Sequence, residues 1–332
     1  MLKNYMKFSF IIILMVLMNF GSVKGAQSCY KGQEYKCFTI DGSWCWFSDP
    51  RAVYQKGKVY GGWVNKDGSI EVGSYDVAAG KIEKKVIDRQ FQPDDHNAPS
   101  ILIRPDGRIC VFYSHHSTKA EMYLKISSNP YDISQWGQRK ALKLMPGKTV
   151  YCYTNPVILS NENNRIYLFW RGLEWKPTFA YSDDLGMSWS QGQKLITSPA
   201  TRPYLKVNTN GQDWIDFAFT DGHPRDVKDN SIYFMRYKDG NFYKADGTEI
   251  QSIDELPVER RQADVVYDGK TKGVRAWVWD VAADENGNPV IVYTRLPDFT
   301  DHRYHYARWD GQKWNDYELC KAGKWFPQTP EG

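Results

Sequence analysis

Four polar clusters hold most of the side chains of this chain that are suited to moving a proton or gripping an anion. Asp94-Asp95-His96-Asn97-Ala98-Pro99 precedes an apolar run at 100–103. Tyr113-Ser114-His115-His116 closes a run that starts at 109. Tyr153-Thr154-Asn155-Pro156 opens the run to 159, and Trp170-Arg171-Gly172 ends the run that starts at 166. Histidine and tyrosine both serve as general acid or base. The planar guanidinium of arginine matches a carboxylate with two parallel hydrogen bonds. Strand ends that carry histidine, tyrosine and arginine together therefore hold the residue types needed for proton transfer beside an anionic group. A nearby Arg171 would also favour the tyrosinate form of Tyr153. The competing structural role for Arg171 is an ion pair with Glu174 or Asp95. That for Tyr153 is a buried sheet tyrosine.

The elements that must present these side chains are strands. Short β-branched and aromatic runs alternate with Gly, Asn and Asp turns, and no segment shows a convincing amphipathic helical period. A strand, a polar turn, a strongly apolar strand, a third strand with Tyr or Phe, and a Gly- or Trp-containing corner recur at a spacing of about 50 residues. Five such units start near Trp44, Ser100, Pro156, Leu205 and Arg275. Units of this kind bury both faces by stacking radially, so the expected fold is all-β, a β-propeller; a two-sheet sandwich is the alternative. Adjacent residues of a strand point to opposite faces, so His115 and His116 should diverge.

The first 25 residues are expected to be a signal peptide, with Lys3 and Lys7 before an apolar stretch at 8–20. That stretch is short for a membrane span, and no later run is longer. The mature domain is then 26–332, secreted or periplasmic. The net charge of +4 falls to +1 once Lys3, Lys7 and Lys24 are removed. That is no electrostatic footprint for nucleic acid, though it permits a local basic cleft for an acidic ligand. Export allows disulfides, and one local bridge among Cys29, Cys37 and Cys45 is expected. Cys110 lies within an apolar strand and reads as a small buried hydrophobe. No Cys or His spacing suggests a metal site or cofactor.

The third corner, Ser182-x-Asp184-x-Gly186-x-Ser188-Trp189, matches an Asp box. Together with Asp94–Pro99, Tyr113–His116, Tyr153–Pro156, Trp170–Gly172, Arg202-Pro203-Tyr204 and Thr220-Asp221-Gly222-His223-Pro224-Arg225, it makes nearly all of the mature chain resemble the bacterial-neuraminidase-repeat propeller family. That family includes ulvan lyases and rhamnosyl-glucuronate lyases and rhamnosidases. The resemblance implies a seven-bladed propeller. Five repeats are visible, so the chain is expected either to lack the last blades or to form a shorter ring. Asp boxes in such propellers lie away from the active face.

The resemblance further implies a monomeric polysaccharide lyase that cleaves a rhamnose and uronic-acid glycan by β-elimination, with an acidic polysaccharide as its partner. His96 and Tyr153 would be the acid/base pair, their roles unassigned, and Arg171 the carboxylate neutraliser. His116, His115, Asn97, Tyr204, His223 and Arg225 would bind substrate. The rival readings are a glycoside hydrolase, either an α-L-rhamnosidase or a sialidase-like enzyme for which Asp94 and Asp95 would supply carboxylates, and a noncatalytic glycan-binding propeller.

Overall fold

Alternate side chains of the second strands enter different interfaces, and this decides the architecture. On the strand 109–114, Phe112 packs with Leu168 and Trp170, while Val111 and Tyr113 pack with Tyr60 and Val72. On 165–171, Leu168 and Trp170 take one side, and Tyr167 and Phe169 meet Phe217 and Met235 on the other. Strands buried on both faces read as continuous apolar runs, which is how these runs appear in the sequence. Burying each such ring or branched side chain contributes about 1.5–3 kcal/mol.

The computed structural model describes residues 36–116, 118–145, 150–200, 202–298 and 300–323. The expected signal peptide and Cys29 lie outside these residues. Residues 36–41 belong to a separate compact unit, in which the Asp41 amide donates to Thr39 Oγ1 at 3.1 Å. Among the described residues from Gly42 onward the chain is a five-bladed propeller arrangement, as expected. Blade 1 is β1 (Ala52–Gln55), β2 (Lys58–Val64), β3 (Ile70–Asp76) and β4 (Lys81–Asp88). Blade 2 is β5 (Ser100–Ile103), β6 (Ile109–Ser114), β7 (Met122–Ile126) and β8 (Lys140–Leu142). Blade 3 is β9 (Cys152–Leu159), β10 (Arg165–Arg171), β11 (Pro177–Ser182) and β12 (Gln193–Lys194).

A short parallel pair, β13 (Ile196–Thr197) with β19 (Val258–Glu259), sits beside blade 4. Blade 4 is β14 (Leu205–Thr209), β15 (Trp214–Thr220), β16 (Ile232–Lys238), β17 (Asn241–Tyr243) and β18 (Glu249–Ser252), with β20 (Asp264–Tyr267) on β16. The sequence repeat extended this unit only to Gly240. The further strands are two to four residues long, too short for a legible period. After the single helical turn α1 (Gly269–Lys272), blade 5 is β21 (Arg275–Ala283), β22 (Pro289–Asp298), β23 (Asp301–Trp309) and β24 (Trp314–Gly323).

All pairings within blades are antiparallel. The end of each second strand and the start of each first strand therefore lie on one face, and the turn from third to fourth strand lies on the other. The Asp box joins β11 to β12 and so belongs to that other face. Asp184 Oδ1 accepts from Ser182 Oγ at 2.8 Å and from the Met187 and Ser188 amides at 2.9 and 2.7 Å. Gly186 takes φ 90°, a region that side-chain-bearing residues disfavour.

The segment before β1 dives into the hub. Phe47 is buried against Tyr153, Tyr204 and Trp277, which come from blades 3, 4 and 5. Asn155 Nδ2 donates to the Phe47 carbonyl at 3.0 Å, and the fully buried Lys206 donates to the Trp46 carbonyl and pairs with Asp49. Among the described residues the cysteines Cys37, Cys45, Cys110, Cys152 and Cys320 are free thiols, and Cys29, the third member of the expected local set, lies outside them. Cys110 is buried, as its strand position implies. Among the described residues no helix is long and apolar enough to cross a membrane.

Candidate functional site

The loop between blades 1 and 2 contains a 3-10 turn at Asp95–Asn97, capped by Asp94, whose Oδ1 accepts the His96 amide at 2.9 Å. The same Oδ1 lies 2.8 Å from His96 Nδ1, and Oδ2 lies 2.8 Å from His116 Nδ1. An ionised carboxylate only accepts, so both Nδ1 atoms donate. Asp95 Oδ1 is also 2.7 Å from His96 Nδ1. The two imidazoles are stacked, with centroids 3.9 Å apart and planes 4° from parallel. Burial disfavours charge on His96, but the two carboxylates outweigh it and raise its pKa to about 9. Burial likewise penalises the Asp94 anion, yet its bonds to His116 and His96 hold it well below the ordinary carboxylate range.

Tyr153 comes next in the column, its ring centroid 5.3 Å from that of His96. A β-bulge between β9 and β10 sets it there. Phe169 pairs with Asn155 and Arg171 with Cys152, which leaves Tyr153 and Thr154 opposite Trp170. Tyr153 itself takes φ 65°. Left-handed geometry at a non-glycine residue costs about 1–2 kcal/mol, and Glu174, Trp175 and Arg202 share it near the same rim. The expectation that Arg171 would favour tyrosinate is corrected by burial. Desolvation pushes the Tyr153 phenol well above its ordinary value, and the guanidinium offsets only part of that.

Arg171 ends β10. Its guanidinium carbon lies 4.5 Å from the Tyr153 ring centroid, 5.2 Å from that of Trp175 and 5.8 Å from that of Tyr204. The residue is 6% exposed. Among the described residues no carboxylate lies within 4.0 Å of it, and its Nε has no hydrogen-bond partner. Glu174, one expected partner, pairs with Lys194 at 2.9 Å, and Asp95 pairs with His96. A buried guanidinium without an anion is costly unless something else supplies one.

Tyr204 and His223 complete the wall from blade 4. Their rings are 5.4 Å apart and both pack on Trp277. His223 Nδ1 accepts the Arg225 amide at 3.0 Å, and burial, helped by Arg202 and Arg225, lowers its pKa to about 4. The Arg225 side chain turns to Asp226 at 2.8 Å.

Two residues assigned to substrate binding do not join this group. His115 is buried in a stack on Phe91, 3.8 Å between centroids, with Nδ1 3.2 Å from Gln92 Oε1. The strand ends at Ser114, and just beyond it the two neighbouring rings pack on different partners, His115 on Phe91 and His116 on His96. Asn97 is fully buried and donates to the Gln92 carbonyl at 3.0 Å. Arg295 and Arg303 are committed to Asp316 and to Asp301.

Sequence reasoning missed Asp94 as the shared anchor and Trp175 at the rim. The Asp-x-His spacing of Asp94 and His96 was visible; the link from Asp94 to residue 116 was not. Asp94, His96 and His116 each offer a ligand atom within 4.8 Å of the others, the one set among the described residues that could converge on a metal ion. In this arrangement both Nδ1 atoms are already engaged by the carboxylate.

A family model described as BNR repeat-containing family member matches residues 58–322. The chain is 24% identical over 294 residues to Ulvan Lyase-PL25 of Pseudoalteromonas sp. (strain PLSV), covering 72% of this chain and 56% of the relative. It is 22% identical over 274 residues to an ulvan lyase of Nonlabens ulvanivorans, covering 68% and 54%. The chain thus spans about half the length of the curated relatives it matches. A solved PL25 ulvan lyase bound to -[GlcA(1-4)Rha3S]- superposes with TM-score 0.68 at 18% identity, over 90% of this chain and 76% of that one. This likeness shows the same fold.

Proposed function

From the premise that this chain belongs to the BNR repeat-containing family, we propose that it is a polysaccharide lyase acting on an ulvan-like glycan of rhamnose and uronic acid. The observation that carries the reading is Arg171, a buried guanidinium with no carboxylate partner among the described residues, set beside a phenol and a histidine pair. The uronate carboxylate would supply the missing anion. Likeness to ulvan lyases in sequence supports the substrate class.

In this mechanism Arg171 neutralises the uronate carboxylate and stabilises the enolate-like charge that develops beside it. Nε2 of neutral His96 removes the proton on the adjacent ring carbon. The electron pair left behind forms the new carbon–carbon double bond as the bond to the leaving glycosidic oxygen breaks. Tyr153, kept as a phenol by burial, gives its proton to that oxygen. His116 holds the other side of the histidine pair, the exposed Trp175 offers a stacking face for a sugar ring, and the buried Tyr204 backs the site wall. His223 is a neutral wall residue and Arg225 a more distant contact. Asp94 and Asp95 are both committed to histidine, which argues against the hydrolase.

The basic and apolar character of the first 25 residues supports export, and the acidic glycan would be met outside the cytoplasm as a monomer. Incubation of the purified chain with ulvan, and separately with gum arabic, should raise the ultraviolet absorbance of unsaturated uronate with ulvan. Reducing ends that appear without absorbance would select hydrolysis. Binding without either product would select a glycan-binding propeller.

A further inference from the structure

Asp94 is placed to do more than cap a turn. Its Oδ1 receives the His96 amide and Nδ1, and its Oδ2 receives His116 Nδ1, each at 2.8–2.9 Å. It is three-quarters buried, its side chain 24% exposed, so these bonds are poorly challenged by water. The His116 amide is held separately by Gln92 Oε1 at 3.0 Å, which fixes the backbone from which that ring approaches. Two imidazoles stacked face to face at 3.9 Å have no contact with each other that would choose a tautomer. The choice falls to the group at the ring edge, and here one carboxylate serves both.

We propose that Asp94 is the positioning residue of the whole histidine pair, holding both imidazoles with Nδ1 protonated so that Nε2 is the ring nitrogen each presents to substrate. The inference rests on the lyase reading for its catalytic consequence, but the tautomers themselves do not depend on that reading. A base whose lone pair sits on the wrong nitrogen cannot reach the proton it should take, whatever its basicity. The carboxylate also fixes the ring planes, so the stack is a consequence of sharing one anion. Asp95 reaches only His96 and cannot substitute at His116.

Replacement by asparagine makes the claim sharp. The amide oxygen of Asp94→Asn can still cap the turn and accept one Nδ1–H. The amide nitrogen only donates, so the second histidine must present a bare Nδ1 and carry its proton on Nε2.

The experiment is side-chain nitrogen NMR of the whole chain, labelled at histidine, at a pH where both rings are neutral. In the native protein both His96 and His116 should show protonated Nδ1 and acceptor Nε2. In Asp94→Asn one of them should switch to protonated Nε2, while Asp95→Asn should leave His116 unchanged. Turnover of ulvan by Asp94→Asn should fall about a hundredfold or more in kcat, with KM changed less than about threefold. Asp94→Glu should recover part of kcat. Either histidine with protonated Nε2 in the native protein overturns the proposal, as does Asp94→Asn with both tautomers and kcat unchanged. If the native protein yields no unsaturated product, the lyase reading fails and the NMR result still decides the tautomers. A variant that does not fold leaves the native spectrum as the deciding measurement.

Discussion

The guanidinium of Arg171 lies over the ring of Tyr153, 4.5 Å from its centroid, in a cation–π contact where the cation and burial act on the phenol in opposite directions. Burial raises the Tyr153 pKa and the arginine lowers it, and burial wins. The arrangement keeps a neutral proton donor against a permanent cation. In the lyase reading those are the two groups that a leaving oxygen and a carboxylate require.

Arg171→Ala should reduce kcat/KM for a uronate glycan about a thousandfold, comparable to loss of an oxyanion-type donor. Because the native guanidinium is buried with no carboxylate partner among the described residues, its removal should cost little stability, or none. Steady-state kinetics with thermal unfolding checks both parts. Full activity in the variant would remove the carboxylate role.

The pH profile follows from His96. Its ordinary value of 6.5 is raised to about 9, so below about 9 it is the imidazolium and has no lone pair to offer. If it is the base, kcat/KM should climb as pH rises towards about 9. Stability should move the opposite way. A raised folded pKa contributes stability that is complete below the unfolded value and is lost as pH passes through the folded one. The Tm advantage of the native protein over His96→Gln should therefore be present below about pH 6.5 and fade by about pH 9. A profile that falls through this window would make His96 the acid instead.

Asp184→Ala strips the Asp box of the bonds to Ser182, Met187 and Ser188, including one at 2.6 Å from Ser188 Oγ. A loss of about 1–3 kcal/mol is expected, from hydrogen bonds and turn geometry. The turn lies on the face opposite the histidines, so kcat and KM measured well below the new Tm should stay at native values. Chemical denaturation with kinetics on the same sample separates the two effects.

Dialysis against a chelator tests the Asp94, His96 and His116 set directly. With both Nδ1 atoms bound to Asp94, activity should survive chelation unchanged. A loss that added zinc restores would identify the cluster as a metal site.

The polar clusters were legible because each sits at the end of a two-sided buried strand, where apolar periodicity stops. The Asp box was legible because its bonds are local, all within seven residues. The fourth blade was only half legible, since β17 to β20 are too short to carry a period. His115 and His116 show the limit well. Alternation says that neighbours diverge, but it does not say which of them meets His96.

What the sequence by itself determined is the set of local facts: period-two strands buried on both faces, five repeats, the Asp-box turn, and His, Tyr and Arg placed at strand ends. Those follow from interactions between residues a few positions apart. The tertiary structure decided the rest. It placed Asp94 between histidines 20 residues apart, gave Arg171 no carboxylate partner among the described residues, drew Asn97 and His115 into the core, and made Tyr153 a phenol. Protonation and pairing depend on burial and on partners brought in from other blades, and neither is encoded in spacing along the chain.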